Sequence, residues 1–542
     1  MNSVVIADPA RAVLNQPPPL EPANLFELDL ALSEALEREG GGWGCERVRE
    51  AGALAGDPGA REHARRAERN LPVLRTHDRF GNRIDEVELD PSWHWLLAGA
   101  RRRAIHSLPW RDPVPGAHAL RAAMFMLYSC LNAGVMCPVS MTFAAVPALR
   151  EAAPALADEW EGRLTDTDPE RGALAGMAMT ERQGGSDVRA NITRAHPVGD
   201  GTYELCGHKW FCSYPPCDIF LVLAQAPGGL SCMLVERGAG MELQRLKDKL
   251  GTRSLPSAEV QFHGAVGRLV GEEGRGVAAI VRMVNHTRLD CALGSAASMR
   301  RGVLEAVHHA LHRRAFGAPL ADQPAMLNVL ADLALESEAA TAAAMRVAGS
   351  YDAGAAQAPF RRLATAVCKY WTCKRAPAHA AEALECLGGN GYVEESGMPL
   401  LYRDAPLNSI WEGSGNVAAL DVLRAMAREP ESLEAYLREC ELAAGADRRL
   451  DGHLRRVGAA ARGAASALVA DRDLAGEAQL GARALAEDLA LALQGSLLVR
   501  HAPAAVGDAF CAARLERSGG RAYGTLPRSV DMRAIVARAL PR

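Results

Sequence analysis

Aromatic residues are scarce in this chain: Phe, Trp and Tyr make up 5% of its 542 residues. The chain is rich in Ala instead, and with Leu, Arg and Glu these are the residues that cost least in a helix, so a mainly helical protein is expected. No basic stretch followed by an apolar run stands near the start, and no secretory signal is expected. An excess of positive charge is lacking too: 61 Lys and Arg face 65 Asp and Glu. The chain as a whole is no polycation, so any contact with nucleic acid must come from a local patch. There is no repeat of solenoid period and no P-loop. The 13 cysteines include no C-x-x-C pair. Cys206, Cys212 and Cys217 lie around His208, but not at the twice-paired spacing of a structural zinc site, and no metal is expected. They fit reduced, mostly buried thiols in a cytoplasmic protein.

Charge is missing altogether from Ala122 to Leu149, a run long enough to span a bilayer. Asn132, Gly134, Pro138, Ser140, Thr142 and Pro147 interrupt it, and lipid cannot satisfy the backbone groups that a mid-run proline frees. A helix and turn buried in a soluble core is the expectation, with no membrane partner.

What is present falls into four stretches. Residues 1–175 are mainly helical in pattern, with apolar spacing of three and four in Asn24–Glu39 and Trp93–Ser107. A Pro-rich arm precedes them from Asn15 to Pro22, expected to lie extended on a surface. Residues 176–275 change character, with strand-like runs at Tyr203–Leu205, Ile219–Ala224, Ser231–Val235 and Ala258–Phe262 separated by Gly, Pro and Asp. Residues 276–430 return to helix, and Met326–Ala348 and Phe360–Leu387 fit a bundle. After the break at Glu429–Ser432, residues 431–542 read as a further helical extension. The fold class expected is mainly α with a central β domain.

Three motifs carry chemistry. Gly176–Asp187, GMAMTERQGGSD, is a polar loop entering the β domain; Thr180, Ser186 and backbone N–H groups could line an anion or a ring edge, or form an ordinary turn. Gly207–Ser213, GHKWFCS, sets a Trp near a small hydroxyl residue, which suits a flavin ring and equally suits a core Trp. In Leu384–Asn416, Glu412 follows Ile410 and Trp411 and precedes Gly413. A carboxylate there is partly desolvated, which raises its pKa toward that of a useful base; a helix-start Glu satisfied by amides is the alternative. A fourth pattern, Gly274, Gly276 and Ala279, has the G-x-G-x-x-A form but leads into a long helix without a following strand, so NAD binding is rejected.

In this order and spacing, the M-T-E…G-S-D loop, the W-x-x-S segment, Arg313–Phe316–Gly317…Gln323 and Tyr402–Arg403–Asp404…Glu412–Gly413 resemble the acyl-CoA dehydrogenase superfamily. LNQPPPLEPANLF, DEVELDPSWHWLL, CPVSMTFAA, RLKDKLGTRS and NSIWEGSGN are similar to its AidB-like branch, across essentially the whole chain. The resemblance implies three parts: a helical domain, a barrel-like β domain that binds FAD, and a helical bundle. It implies an extra C-terminal helical domain as well. It implies Glu412 as the base that takes an α-proton from an acyl-CoA thioester, while the β-hydrogen leaves as hydride to the flavin. It places the FAD against Met179, Thr180, Gly185, Ser186, Phe211, Cys212, Ser213, Trp411, Gly413 and Asn416. Arg313, Phe316 and Gln323 are implied to reach the FAD of a neighbouring subunit, and so to imply a homo-oligomer, a tetramer. Trp411 stands where many relatives have Tyr, and its bulk is expected to narrow the pocket toward short branched acyl groups such as isovaleryl. Gln183–Gly184–Gly185 and Glu385 also depart from the wider family pattern and follow the branch.

The C-terminal stretch is rich in Arg, with Arg448, Arg449, Arg455, Arg514, Arg517 and Arg521 as candidate contacts to phosphates. A solvated face or an interface would give the same composition. With the AidB resemblance they point to double-stranded DNA and a role in the DNA alkylation response, the dehydrogenase site being weak. A metabolic short-chain or branched-chain acyl-CoA dehydrogenase without a DNA role is the alternative, and a non-catalytic FAD protein a third.

Overall fold

The computed structural model describes residues 13–470, 472–516 and 520–541, and the side chains of all of these but 472–474. Helices occupy the chain up to Leu164, a sheet runs from Ala175 to Val270, and helices resume at Gly276. The charge-free run forms two helices, Ala117–Leu131 and Met136–Ala152, nearly every residue of which is buried. Among the described residues no helix is long and apolar enough to cross a membrane.

Asp-Pro pairs start two helices. Asp57 accepts from the Ala60 amide at 2.8 Å and Asp90 from the Ser92 amide at 2.7 Å, each followed by a proline at the first helical position. The cap satisfies an otherwise orphan N–H, and proline's fixed φ fits there. The sequence pattern missed one feature of this region, the antiparallel hairpin Val73–His77 with Arg83–Glu88. Its strands have no fully buried face, so no apolar alternation marks them. Its turn is built by Asp78, which accepts from the amides of Phe80 and Asn82 at 2.8 and 2.9 Å. Arg83 and Asp85 then tie it to the β domain through the backbone of Leu243, at 2.7 and 3.1 Å.

The β domain has seven strands. Ile219–Ala226 pairs with Ala175–Ala178 and Gly229–Glu236 and touches Arg194–Gly199. The pairing continues through Thr202–Ser213 and Ser257–Val270 and returns to Gly229–Glu236, which closes five strands into a ring; Met241–Leu246 adds to Ser257–Val270. Closure leaves the five ring strands without free edges, and among the described residues only Ala175–Ala178 and Met241–Leu246 are paired on one side. Ile219–Ala226 is buried almost throughout, as a strand covered on both faces should be.

The 37-residue helix Gly276–His312 is the axis of the bundle, about 55 Å long at 1.5 Å per residue. Pro324–Asp352, Ala358–Glu385, Ala117–Leu131 and Met136–Ala152 pack on it. The Pro-rich arm lies along its C-terminal end: His308 Nε2 meets the Pro18 carbonyl at 2.8 Å, and Arg301 pairs with Glu21 at 2.6 Å. The last stretch is fastened to the bundle. Helix Arg472–His501 packs on Gly415–Arg428, Pro324–Asp352 and Ala358–Glu385, and Met532–Ala539 packs on Pro324–Asp352.

Candidate active site

A cavity of about 640 Å³ lies where the β domain meets the bundle. Met179, Thr180, Gly185, Ser186, Phe211, Ser213, Trp411, Glu412 and Gly413 all line it, brought together from three separate parts of the sequence. The strand Thr202–Ser213 explains which of its residues take part. Successive side chains of a strand point to opposite faces, so Phe211 and Ser213 face the cavity together. Cys212 faces the other way and is fully buried in the core, which removes it as a side-chain contact. Trp210 does not line the cavity either: Lys247 Nζ caps its ring at 3.2 Å, and Phe211, 48% exposed, supplies the flat apolar wall.

The loop that carries Thr180 rests on a buried ion pair absent from the motif reading. Lys209 Nζ donates to Glu181 Oε1 at 2.7 Å, and neither side chain is accessible to solvent. Glu181 also accepts from the amides of Ile192 at 2.7 Å and Thr193 at 3.2 Å. Burial opposes its ionisation, but Lys209 and these donors outweigh it and hold the carboxyl at about 2, while burial lowers Lys209 to about 8. Both stay charged at neutral pH. Gly185 closes the loop: a Cβ there would lie 2.6 Å from Thr180 Oγ1.

Glu412 is held in an unusual conformation. Its φ is +58°, a region that non-glycine residues rarely adopt. Arg288 Nε donates to its carbonyl at 3.0 Å, and Lys369 Nζ donates to the carbonyl of Gly413, itself at φ +101°. These two cations from neighbouring helices fix the backbone, and strain of this kind collects where function over-determines geometry. The carboxylate stands free of them: Oε2 is buried without a hydrogen-bond partner. Burial pushes the pKa of Glu412 up, opposed by the Thr287 hydroxyl and the charges of Arg288 and Lys369. Thr287, Arg288 and Lys369 were not singled out in the sequence; as single residues inside long helices they carry no local signal.

The cavity lining carries a second carboxyl. Asp404 is pushed up to about 8 by burial and by the nearby Glu68, and it accepts from the Thr252 amide at 2.6 Å. Lys249 in the same lining is lowered to about 8 by burial.

Other expected residues lie elsewhere. Asn416 is exposed at the start of helix Gly415–Arg428 and does not line the cavity. Arg313 donates to the carbonyl of Asn15 at 2.5 Å, Gln323 to that of Ala315 at 3.0 Å, and Phe316 is 97% exposed at φ +52°. None of the three reaches this chain's own cavity. The C-terminal arginines divide. Arg449 is spent on Asp447 and Asp508 at 2.6 and 2.7 Å, and Arg514 on the buried Asp332 and Glu336, so both are corrected from phosphate contacts to internal struts. Arg448, Arg455 and Arg521 are exposed. Arg517 lies outside the described residues. Among the described residues no group of three His, Cys, Asp or Glu could hold a metal ion. Trp411, expected to narrow the pocket, does line the cavity. Its indole Nε1 donates to Asn408 Oδ1 at 3.0 Å.

A barrel set against a helical bundle, with a strained buried glutamate at their junction, defines an acyl-CoA dehydrogenase fold, and the chain belongs to the acyl-CoA dehydrogenase family. Residues 15–170 match the adaptive response protein AidB N-terminal domain, 176–265 the acyl-CoA dehydrogenase middle domain and 274–427 its C-terminal domain. Within the family it is similar to AidB of Escherichia coli K12, 42% identical over 526 residues that cover 94% of this chain and 95% of that one. The solved structure of Caenorhabditis elegans ACDH-11 in complex with C11-CoA aligns with a TM-score of 0.86 at 29% identity, over 94% of each chain. The Bacillus anthracis acyl-CoA dehydrogenase complexed with FAD shares the fold, with a TM-score of 0.66 at 18% identity over 83% of this chain and 82% of that one.

The protein is an FAD-dependent oxidoreductase of acyl-CoA dehydrogenase type. The cavity fits the flavin: Thr180, Ser186 and Ser213 bring hydroxyls, Met179, Phe211 and Trp411 bring apolar surface, and Gly185 keeps the loop free of a clash.

Proposed function

We propose that this chain oxidises acyl-CoA thioesters between the α- and β-carbons, with Glu412 as the base. The observation that carries this is the Glu412 carboxylate, buried, raised in pKa and without a partner at Oε2, on the cavity that the flavin-side residues line. Glu412 takes the α-proton, and its backbone N–H polarises the thioester carbonyl. Bound FAD supplies the acceptor for the β-hydrogen as hydride. Phe211 and Trp411 keep water from the reacting carbons, and Arg288 and Lys369 hold the base in place. The C11-CoA complex of the similar nematode protein supports a thioester ligand. Isovaleryl-CoA is one member of the acyl-CoA panel, beside longer thioesters. Anaerobic mixing with a panel of acyl-CoAs tests the proposal: the flavin absorbance should bleach, and Glu412→Gln should slow bleaching by about 10²–10⁴-fold. Bleaching at an unchanged rate in the variant would overturn the assignment.

A second reading joins this activity to DNA. The exposed Arg448, Arg455 and Arg521, with the likeness to AidB over 94% of the chain, support binding of double-stranded DNA in the alkylation response. Such binding rests on counterion release and must weaken steeply with salt. Arg448→Glu with Arg455→Glu should abolish it; binding indifferent to salt and to both substitutions sinks the reading.

The chain also assembles with copies of itself, as a tetramer, in this proposal. Arg313, Phe316 and Gln323 miss their own cavity, and an aromatic ring 97% exposed on a strained turn suits insertion into a neighbour. Phe316→Ala should lower both the mass in light scattering and the FAD content. Thirteen unpaired thiols suit a reducing compartment such as the cytoplasm.

A further inference from the structure

The cavity does not end at Glu412. On helix Gly276–His312 the residues that line it continue as Cys291, Gly294, Ser298, Arg301 and Glu305, steps of three and four that keep to one helix face. At 1.5 Å per residue, Arg301 stands about 21 Å along the axis from Thr287, whose hydroxyl meets the Glu412 carboxylate. A long side chain leans back toward the helix N-terminus and shortens that span. The middle of this stretch is apolar, faced by Phe125, Met136, Met398 and Leu401.

The far end is polar and incompletely satisfied. Arg301, only 5% exposed, spends Nη2 on Glu21 at 2.6 Å and on Glu305, but its Nη1 is buried without a hydrogen-bond partner. Ser298 Oγ, one turn nearer Glu412, is likewise buried and partnerless. Arg61 stands beside them, paired with Glu21 at 2.8 Å. Two guanidinium groups face two carboxylates there, so the end is balanced in charge but short of an acceptor. A plain hydrocarbon terminus would leave those donors unsatisfied, which is costly for buried polar groups.

We propose that the acyl cavity selects thioesters whose chain carries an uncharged oxygen, a hydroxyl or a carbonyl, near its far end, accepting from Arg301 Nη1 and Ser298 Oγ. Because the two carboxylates already balance Arg61 and Arg301, a terminal carboxylate gains less there than a hydroxyl. The inference rests on the thioester reading of the site and names its substrate class.

The test compares lauroyl-CoA, ω-hydroxylauroyl-CoA and the ω-carboxy analogue on the FAD-loaded protein, by calorimetric Kd and by flavin bleaching. The hydroxyacyl thioester should bind about tenfold more tightly than lauroyl-CoA, the scale of one good hydrogen bond. Ser298→Ala, which leaves every ion pair intact, should reduce that ratio. Arg301→Lys, which keeps the charge facing Glu21 and Glu305, should abolish it. Equal or tighter binding of lauroyl-CoA, or a preference for the carboxylate, overturns the inference and leaves the thioester reading standing. Binding and bleaching by none of the three overturns both.

Discussion

The guanidinium of Arg288 binds two acidic residues by different parts of them: Nε donates to the backbone carbonyl of Glu412 at 3.0 Å, and Nη1 pairs with the Asp421 carboxylate at 2.7 Å. It therefore holds Glu412 by its main chain and leaves the Glu412 carboxylate available. Its charge also opposes the rise that burial imposes on that carboxyl. The rate of flavin reduction by a thioester should climb with pH through a pKa above the ordinary carboxylate range, because only the ionised base accepts a proton. Arg288→Gln removes the opposing charge and should move that profile to still higher pH, measured by stopped-flow absorbance across the pH range.

Lys209 and Glu181 form a pair that should not be broken singly. Lys209→Met leaves a buried, uncompensated carboxylate under the flavin loop and should cost about 3–5 kcal/mol. Lys209→Met combined with Glu181→Leu should recover much of that loss in urea denaturation. FAD affinity should stay low in the double variant, since Glu181 also accepts from the amides of Ile192 and Thr193.

Asp404 should give stability a pH dependence of unusual sign. Folded, its carboxyl titrates at about 8; unfolded, it titrates near 4. Between those values the folded chain holds a proton that the unfolded chain has released, so this contribution falls as pH rises through the window. Asp404→Asn keeps an acceptor for the Thr252 amide and removes the titration. Thermal melts should show the variant gaining on the parent steadily from about pH 4 to pH 8.

Gly185→Ala should weaken FAD binding without unfolding the barrel. The added methyl meets the Thr180 hydroxyl at 2.6 Å, and the loop must open to admit it. Equilibrium dialysis of FAD should report the loss, with the far-ultraviolet circular dichroism unchanged.

The family was legible because its motifs are local: Met179 to Ser186, Phe211 to Ser213 and Trp411 to Gly413 each keep neighbours together in the sequence. The strand runs were legible for a similar reason, since Ile219–Ala224 is continuous apolar sequence inside the strand Ile219–Ala226. What holds the site was not. Arg288 reaches Glu412 across 124 positions, and Lys369 reaches Gly413 across 44, so no window contains either relationship. The side chain of Cys212 turns into the core, which motif spelling does not show because it ignores the alternation of a strand. Arg514 was misread because composition cannot distinguish an arginine facing phosphate from one facing the buried Asp332 and Glu336.

The fastening of the last stretch to the bundle has a practical consequence. Tyr436 is fully buried and donates to the Leu489 carbonyl at 2.8 Å, and Leu489, Leu493 and Leu497 sit inside the common core. Cutting the chain near residue 431 would strip a cover from the helix that carries Lys369 and from Gly415–Arg428, the helix that follows Glu412. A truncated protein that lost flavin and solubility together would report a single event, the opening of the core. Only substitutions that change surface charge and leave the core closed can assign separate tasks to the two ends of this molecule.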